Sequence, residues 1–151
     1  MNSLSAQAYQ KALELVKRTS LTSSQFRNIY SELRAIYSNF KHGLASWEET
    51  RVRLELLIAR LVYGTRKKGG IPPEVLDLFT SLLRPVVQGD NLEGPKALEK
   101  AVLHVESVLA FFYPLRDLRD EIDNHNRRHR DPAQKRNFEA EAEARLGRFV
   151  K

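Results

Sequence analysis

Between Phe26 and Phe40 the apolar residues fall at Phe26, Ile29, Tyr30, Leu33, Ile36, Tyr37 and Phe40, three or four apart, with polar residues between them. That spacing builds one broad apolar and aromatic face on a helix. The start of the helix is written into the chain. Thr22 can cap it, Gln25 can reach back to the capping residue's N–H, and Leu21 with Phe26 makes a hydrophobic staple. The same reading divides the rest. Leu4 to Arg18 predicts a first helix with Leu4, Ala8, Ala12, Leu15 and Val16 on its buried side. The second runs from Ser23 to about Phe40, with Gly43 suited to its end. Ser46 and Glu49 form another capping box, opening a third helix through Leu54, Leu57, Ile58, Leu61 and Val62 towards Lys68, where Gly69-Gly70 stops it. Pro72-Pro73 starts a shorter fourth helix that Pro85 ends or kinks, and Gln88 to Gly94 reads as a loop. Pro95 opens a fifth whose Leu98, Ala101, Val102, Val105, Val108, Leu109 and Phe112 form a long apolar face, closed by Pro114. No segment alternates with period two, so no strand is expected.

After Pro114 the texture changes. Leu115 to Arg130 is dense in charge with Leu118 and Ile122 as its few apolar anchors, and Asp131-Pro132 restarts a helix through the Ala/Glu run to Gly147. The expected fold is all-α: a compact bundle of about five helices over residues 1–115, with residues 116–151 a charged helical appendage or partly disordered tail. Deleting that tail is expected to cost little. Helices one, two and five present more apolar face than a monomer of this length need hide, which predicts a dimer or a concentration-dependent oligomer.

Composition narrows the class. A chain of 151 residues can bury a real core, and with no cysteine it holds neither a disulfide nor a reactive thiol, which fits a cytoplasmic protein. The longest apolar run, Leu56 to Tyr63, is interrupted by Arg60 and falls far short of the roughly 20 residues a membrane helix needs. The net charge of +6 is unevenly spread: residues 1–68 carry 12 Lys+Arg against 5 Asp+Glu, residues 69–115 carry 3 against 6, and residues 116–151 carry 10 against 8. A basic first half points to a polyanion on one face.

Within that half the cations form rows. Arg27, Arg34 and Lys41 are seven apart on the second helix, drifting about 20° per step and standing about 10 Å apart along it. Arg53, Arg60 and Lys67 repeat the device on the third. Such a row neutralises the phosphates of a strand without reading bases, and two rows could frame a groove. The alternative is that these cations are the solvated flanks of amphipathic helices. Arg66-Lys67-Lys68-Gly69-Gly70 is a further candidate, because glycines permit close backbone approach; a helix C-terminus also favours cations through its dipole. Tyr30, Tyr37, Phe26 and Phe40 have the spacing of a buried stripe rather than of a base-stacking platform. Trp47, in a first turn, can anchor a helix junction or an interface.

Chemistry is sparse. Asp123, His125 and His129 invite a metal reading, since histidines four apart share a helix face, but no Glu follows the first His and the surroundings are rich in Arg. His42 and His104 are isolated. Glu48, Glu49, Glu74 and Glu99 read as first-turn or surface residues, and no constellation suggests nucleophilic or acid–base work. No enzyme, metal or cofactor is expected.

Three blocks then carry a resemblance. Thr22-Ser23-Ser24-Gln25-Phe26-Arg27-Asn28 resembles the TTSQIRN signature of the small subunit of the type III-A CRISPR effector, the Csm complex. Leu61-Val62-Tyr63-Gly64-Thr65-Arg66 is similar to that family's LAYAAGR block, and His104 to Tyr113 to its FEALVAYHKF block, in the same order and spacing. Together they span roughly residues 19 to 115. Ser23 stands where the family usually has a second Thr, Phe111 replaces its Tyr, and the residues after Leu115 have no counterpart. The resemblance implies a small, all-helical, non-catalytic protein of antiviral defence. It implies copies stacked as an inner filament beside the backbone and large subunits, with a basic face lining the channel of the CRISPR RNA and its target RNA. On matched positions Arg27 and Arg66 carry over as RNA contacts; Arg34, Lys41, Arg53, Arg60, Lys67 and Lys68 rest on charge and spacing. The competing readings are a stand-alone helical adaptor or homodimer that binds acidic protein partners, and a metal-dependent nuclease built on the tail histidines.

Overall fold

The computed structural model describes residues 3–150, and among them the chain is all-helical, without a strand. In order come α1 (Leu4–Arg18), α2 (Ser23–Lys41), α3 (Trp47–Thr65), α4 (Pro73–Gln88), α5 (Glu93–Arg128) and α6 (Phe138–Arg145), with short 3₁₀ turns at Pro132–Gln134 and Gly147–Phe149. Contacts gather these into two compact units: Thr19–Glu106, and Met1–Arg18 with Ser107–Lys151.

In the unit Thr19–Glu106 both predicted capping boxes are closed. The Thr22 hydroxyl accepts the Gln25 N–H at 3.1 Å while the Gln25 side-chain oxygen Oε1 accepts the Thr22 N–H at 2.9 Å. Ser46 and Glu49 repeat the exchange at 3.1 and 3.4 Å. Each box satisfies donors that a helix start leaves open. Between the two helices Gly43 takes a φ of +75°, the left-handed conformation that lets α2 stop and the chain turn. Phe26, Ile29, Leu33, Ile36 and Tyr37 of α2 are buried, as are Leu54, Leu57 and Leu61 of α3. Trp47 is the hinge post of this unit. Its ring meets Phe40 edge-on at 5.3 Å, and a Cβ on Gly94 would lie 2.2 Å from its Cζ2, so only glycine lets α5 begin against the indole. Asp90 caps that start by accepting the N–H groups of Leu92 and Glu93 at 2.9 and 2.8 Å.

The other unit consists of α1, the C-terminal part of α5 and α6. Tyr9 of α1 meets Phe111 of α5 edge-on at 6.0 Å, the Arg116 guanidinium donates to the Val16 carbonyl at 3.4 Å, and Lys17 pairs with Glu139 at 2.7 Å. Asn126 clips the following segment: its amide donates to the Arg136 carbonyl at 3.0 Å and its oxygen accepts the Arg136 N–H at 2.8 Å. The Arg136 side chain holds Glu141 at 2.6 Å and Glu121 at 3.4 Å, which keeps the Glu141 carboxyl below its ordinary pKa.

Several expectations need correction. Pro114 does not close the fifth helix: α5 continues to Arg128, because the apolar register is unbroken across it, Phe112, Leu115, Leu118 and Ile122 all being buried. Pro85 likewise lies inside α4, which ends at Gln88. Residues 116–150 are not short of burial, since Leu118, Ile122, Phe138 and Ala142 are each at most 6% exposed. In α1 the buried aromatic is Tyr9, and Leu4 is the exposed end of the stripe. The third helix stops at Thr65, leaving Lys67 and Lys68 in the turn beyond it, and Val62 faces out. Most of the apolar residues expected on helices one, two and five are buried within the chain, whereas Leu4 and Leu103 stay exposed.

Candidate nucleic-acid interface

On a helix of about 100° per residue, the buried stripe of α2 leaves an outward face whose edges differ in charge. Arg27, Arg34 and Lys41, all exposed, run along one edge. Glu32 lies on the opposite edge, about 160° around from Arg34. Between them the face consists of Ser24, Asn28, Ser31, Ala35, Ser38 and Asn39, short side chains that donate or accept hydrogen bonds or stay out of the way. Glu32 is the sole acid of the helix and is already engaged, its carboxylate accepting from Arg60 Nη2 at 3.0 Å.

Tyr37 organises the row from below. It is 9% exposed, and the Arg34 guanidinium and Lys41 ammonium both stand 5.7 Å from its ring centroid, so one buried ring orients two exposed cations. Burial and the nearby Glu106 raise the Tyr30 phenol above its ordinary pKa, with Arg34 pulling the other way. Tyr30 therefore stays neutral through the physiological range, a hydrogen-bond donor beside the cations.

The second row is placed differently. Arg60 leans towards α2 and pairs with Glu32, on the edge of α2 away from Arg34, and Arg53 precedes it by seven residues along α3. Arg66, Lys67 and Lys68 form a compact turn at the end of α3. Arg66 supplies the last helical N–H, Lys67 lies over the Tyr63 ring at 4.6 Å, and Gly69 has a φ of +72°. The turn closes through the Ile71 N–H to the Gly64 carbonyl at 3.1 Å, and a Cβ on Gly70 would stand 2.2 Å from that same oxygen. The chain thus presents three exposed cations on a tight, glycine-closed loop.

The tail histidines are occupied. His125 Nε2 is 2.8 Å from the Gln134 carbonyl and His129 Nδ1 is 2.9 Å from the His125 carbonyl, with the two rings stacked at 4.1 Å. These contacts tie the end of α5 to the turn after it. Among the described residues no group of His, Cys, Asp or Glu is arranged to hold a metal, and no helix is long and apolar enough to cross a membrane.

Sequence reasoning found the cations of α2 but passed over the Ser/Asn face between its edges. The signal was present: Ser24, Asn28, Ser31, Ala35, Ser38 and Asn39 recur at intervals of three or four, opposite the apolar set.

Residues 1–114 match the family model described as Csm2 Type III-A, a match that ends inside α5. Neither a curated protein nor a solved structure matches the chain.

Proposed function

Because the chain belongs to the Csm2 Type III-A family, the small subunit of the type III-A CRISPR effector complex, we propose that the outward face of α2 lies along RNA in that complex. The observation that carries this is the composition of that face: three exposed cations, five Ser or Asn side chains, and one acid already neutralised by Arg60. Cations on one edge bind phosphates, and short hydroxyl and amide groups beside them bond phosphate and ribose oxygens without selecting a base. A subunit that serves any guide sequence needs that indifference. The ligands are the CRISPR RNA and the target RNA paired to it, held through their backbones. The Arg66-Lys67-Lys68 turn provides a second phosphate contact, and Arg53 and Arg60 contribute less. The role is non-catalytic and scaffolding, in the cytoplasm, beside the backbone and large subunits and further copies of the chain.

Fluorescence anisotropy with two unrelated single-stranded RNAs at several salt concentrations tests this. Replacing Arg27, Arg34 and Lys41 together by Ala should weaken both RNAs equally and lower the salt slope by roughly two units, at about 0.7 per phosphate lost from a single strand. An unchanged slope overturns the reading. So does partner capture that survives ribonuclease and is lost in the same variant, which would assign the face to an acidic protein instead.

A further inference from the structure

Among the described residues two aromatic side chains stand out in water, Tyr63 near the end of α3 at 64% exposure and Phe149 at 77%. Of the two, only Tyr63 has a cation over its ring. Lys67 Nζ stands 4.6 Å from the ring centroid, and Arg66, three residues on from Tyr63, lies about 4.5 Å further along the axis and within about 60° of it around the helix. Lys68 follows in the turn. All three cations are exposed, and none of them makes an ion pair among the described residues.

The turn that carries them is held in shape. The Ile71 N–H donates to the Gly64 carbonyl at 3.1 Å, a Cβ on Gly64 would stand 2.7 Å from Ile71 Cδ1, and Gly69 has a positive φ, so ring and cations are presented from one fixed frame. A helix C-terminus accounts for the cations through its dipole, but not for an aromatic ring left in water beside them. A phosphate contact by itself has no use for the ring either. A nucleotide with an unpaired base uses both, its phosphate on the cations and its base on the aromatic face.

We infer that Tyr63 and the Arg66-Lys67-Lys68 turn form a site for one unpaired nucleotide of a bound RNA. The base stacks on the ring face turned away from Lys67, and Arg66 and Lys68 hold the phosphate. This inference rests on the reading that the chain lies along RNA, and it adds a base to the backbone contacts. Lys67 fixes the ring from behind through its cation–π contact. Stacking needs only a π-face, so the site accepts any base. A base inside a duplex is already stacked between its neighbours and cannot reach the ring, so the site distinguishes unpaired from paired nucleotides, which the cation row on α2 cannot do.

Two RNA duplexes test this with the full-length chain, one fully paired and one carrying a single bulged 2-aminopurine nucleotide. Binding should quench the 2-aminopurine fluorescence. Tyr63→Ala and Tyr63→Leu should abolish the quench and weaken the bulged duplex by roughly 5- to 100-fold, with the paired duplex and both salt slopes unchanged, whereas Tyr63→Phe keeps the quench. Far-UV circular dichroism confirms that the helices stay intact. An absent quench, an equal loss on both duplexes, or Tyr63→Leu binding like the unaltered chain overturns the inference. Displacement of the bulged duplex by stoichiometric adenosine 5′-monophosphate would assign the site to free nucleotides and overturns it too. The functional reading fails separately: it falls if the triple α2 variant leaves the salt slope unchanged, and it stands if that slope drops while the two duplexes bind without distinction.

Discussion

Replacing Ile122 by Ala tests whether the chain beyond Pro114 belongs to the core. Ile122 is 2% exposed on the C-terminal part of α5, in the unit that α5 forms with α1 and α6. The substitution removes three carbons, worth about 0.8 kcal/mol each in transfer from water. The hole left behind adds to that according to how far its surroundings relax, so the total should be about 2–5 kcal/mol. For a domain of this size each kcal/mol moves the melting temperature by about 2–4 °C, which gives a fall of roughly 5–20 °C. Leu103→Ala is the matched control: the side chain is 51% exposed on the same helix, and its loss should cost less than about 0.5 kcal/mol. Urea melts and calorimetry of both variants read the difference. If Ile122→Ala melts with Leu103→Ala, the second half of α5 contributes nothing to the cooperative unit and the reasoning from burial fails. Removing residues 116–151 should then also be silent; if burial governs, that truncation destabilises at least as much as Ile122→Ala.

Thr22→Ala opens the capping box of α2 and should cost about 1 kcal/mol in a urea melt, with a loss near zero refuting the role of the cap. Gly94→Ala places a methyl against the Trp47 ring and should cost about 1–3 kcal/mol while shifting the fluorescence of the single tryptophan; an unshifted spectrum would mean that α5 yields freely. The Asp90 carboxylate accepts N–H groups from Glu93 and Leu92, so its pKa lies below the ordinary Asp value of about 3.9. Its folded pKa being the lower one, the stability it adds is present above that ordinary value and is lost as pH falls through the folded pKa. A carbon-detected NMR titration showing Asp90 at or above the ordinary value refutes this.

What could be read from the chain alone was local. The two capping boxes join residues three apart, and the buried stripes of α1 and α2 repeat within one or two turns, so composition and spacing suffice to place Thr22, Ser46 and the cores of those helices. The Arg27, Arg34 and Lys41 row was legible for the same reason, as a period on one helix. Other features depend on which surfaces meet. A proline inside a helix costs about 3 kcal/mol in isolation, so the chain after Pro114 reads as a break; burial of Leu115, Leu118 and Ile122 in the register of Phe112 outweighs that cost, and packing against other elements is not a local property. Nor does α3 announce its inner side, since Leu54, Leu57 and Leu61 compete with Val52, Leu56 and Tyr63 for the core and both rows have helical spacing. Only the packing of α2 and α4 against α3 selects one row, turns the other to water, and brings Arg60 to Glu32, so that two cationic rows equivalent in sequence acquire different neighbours.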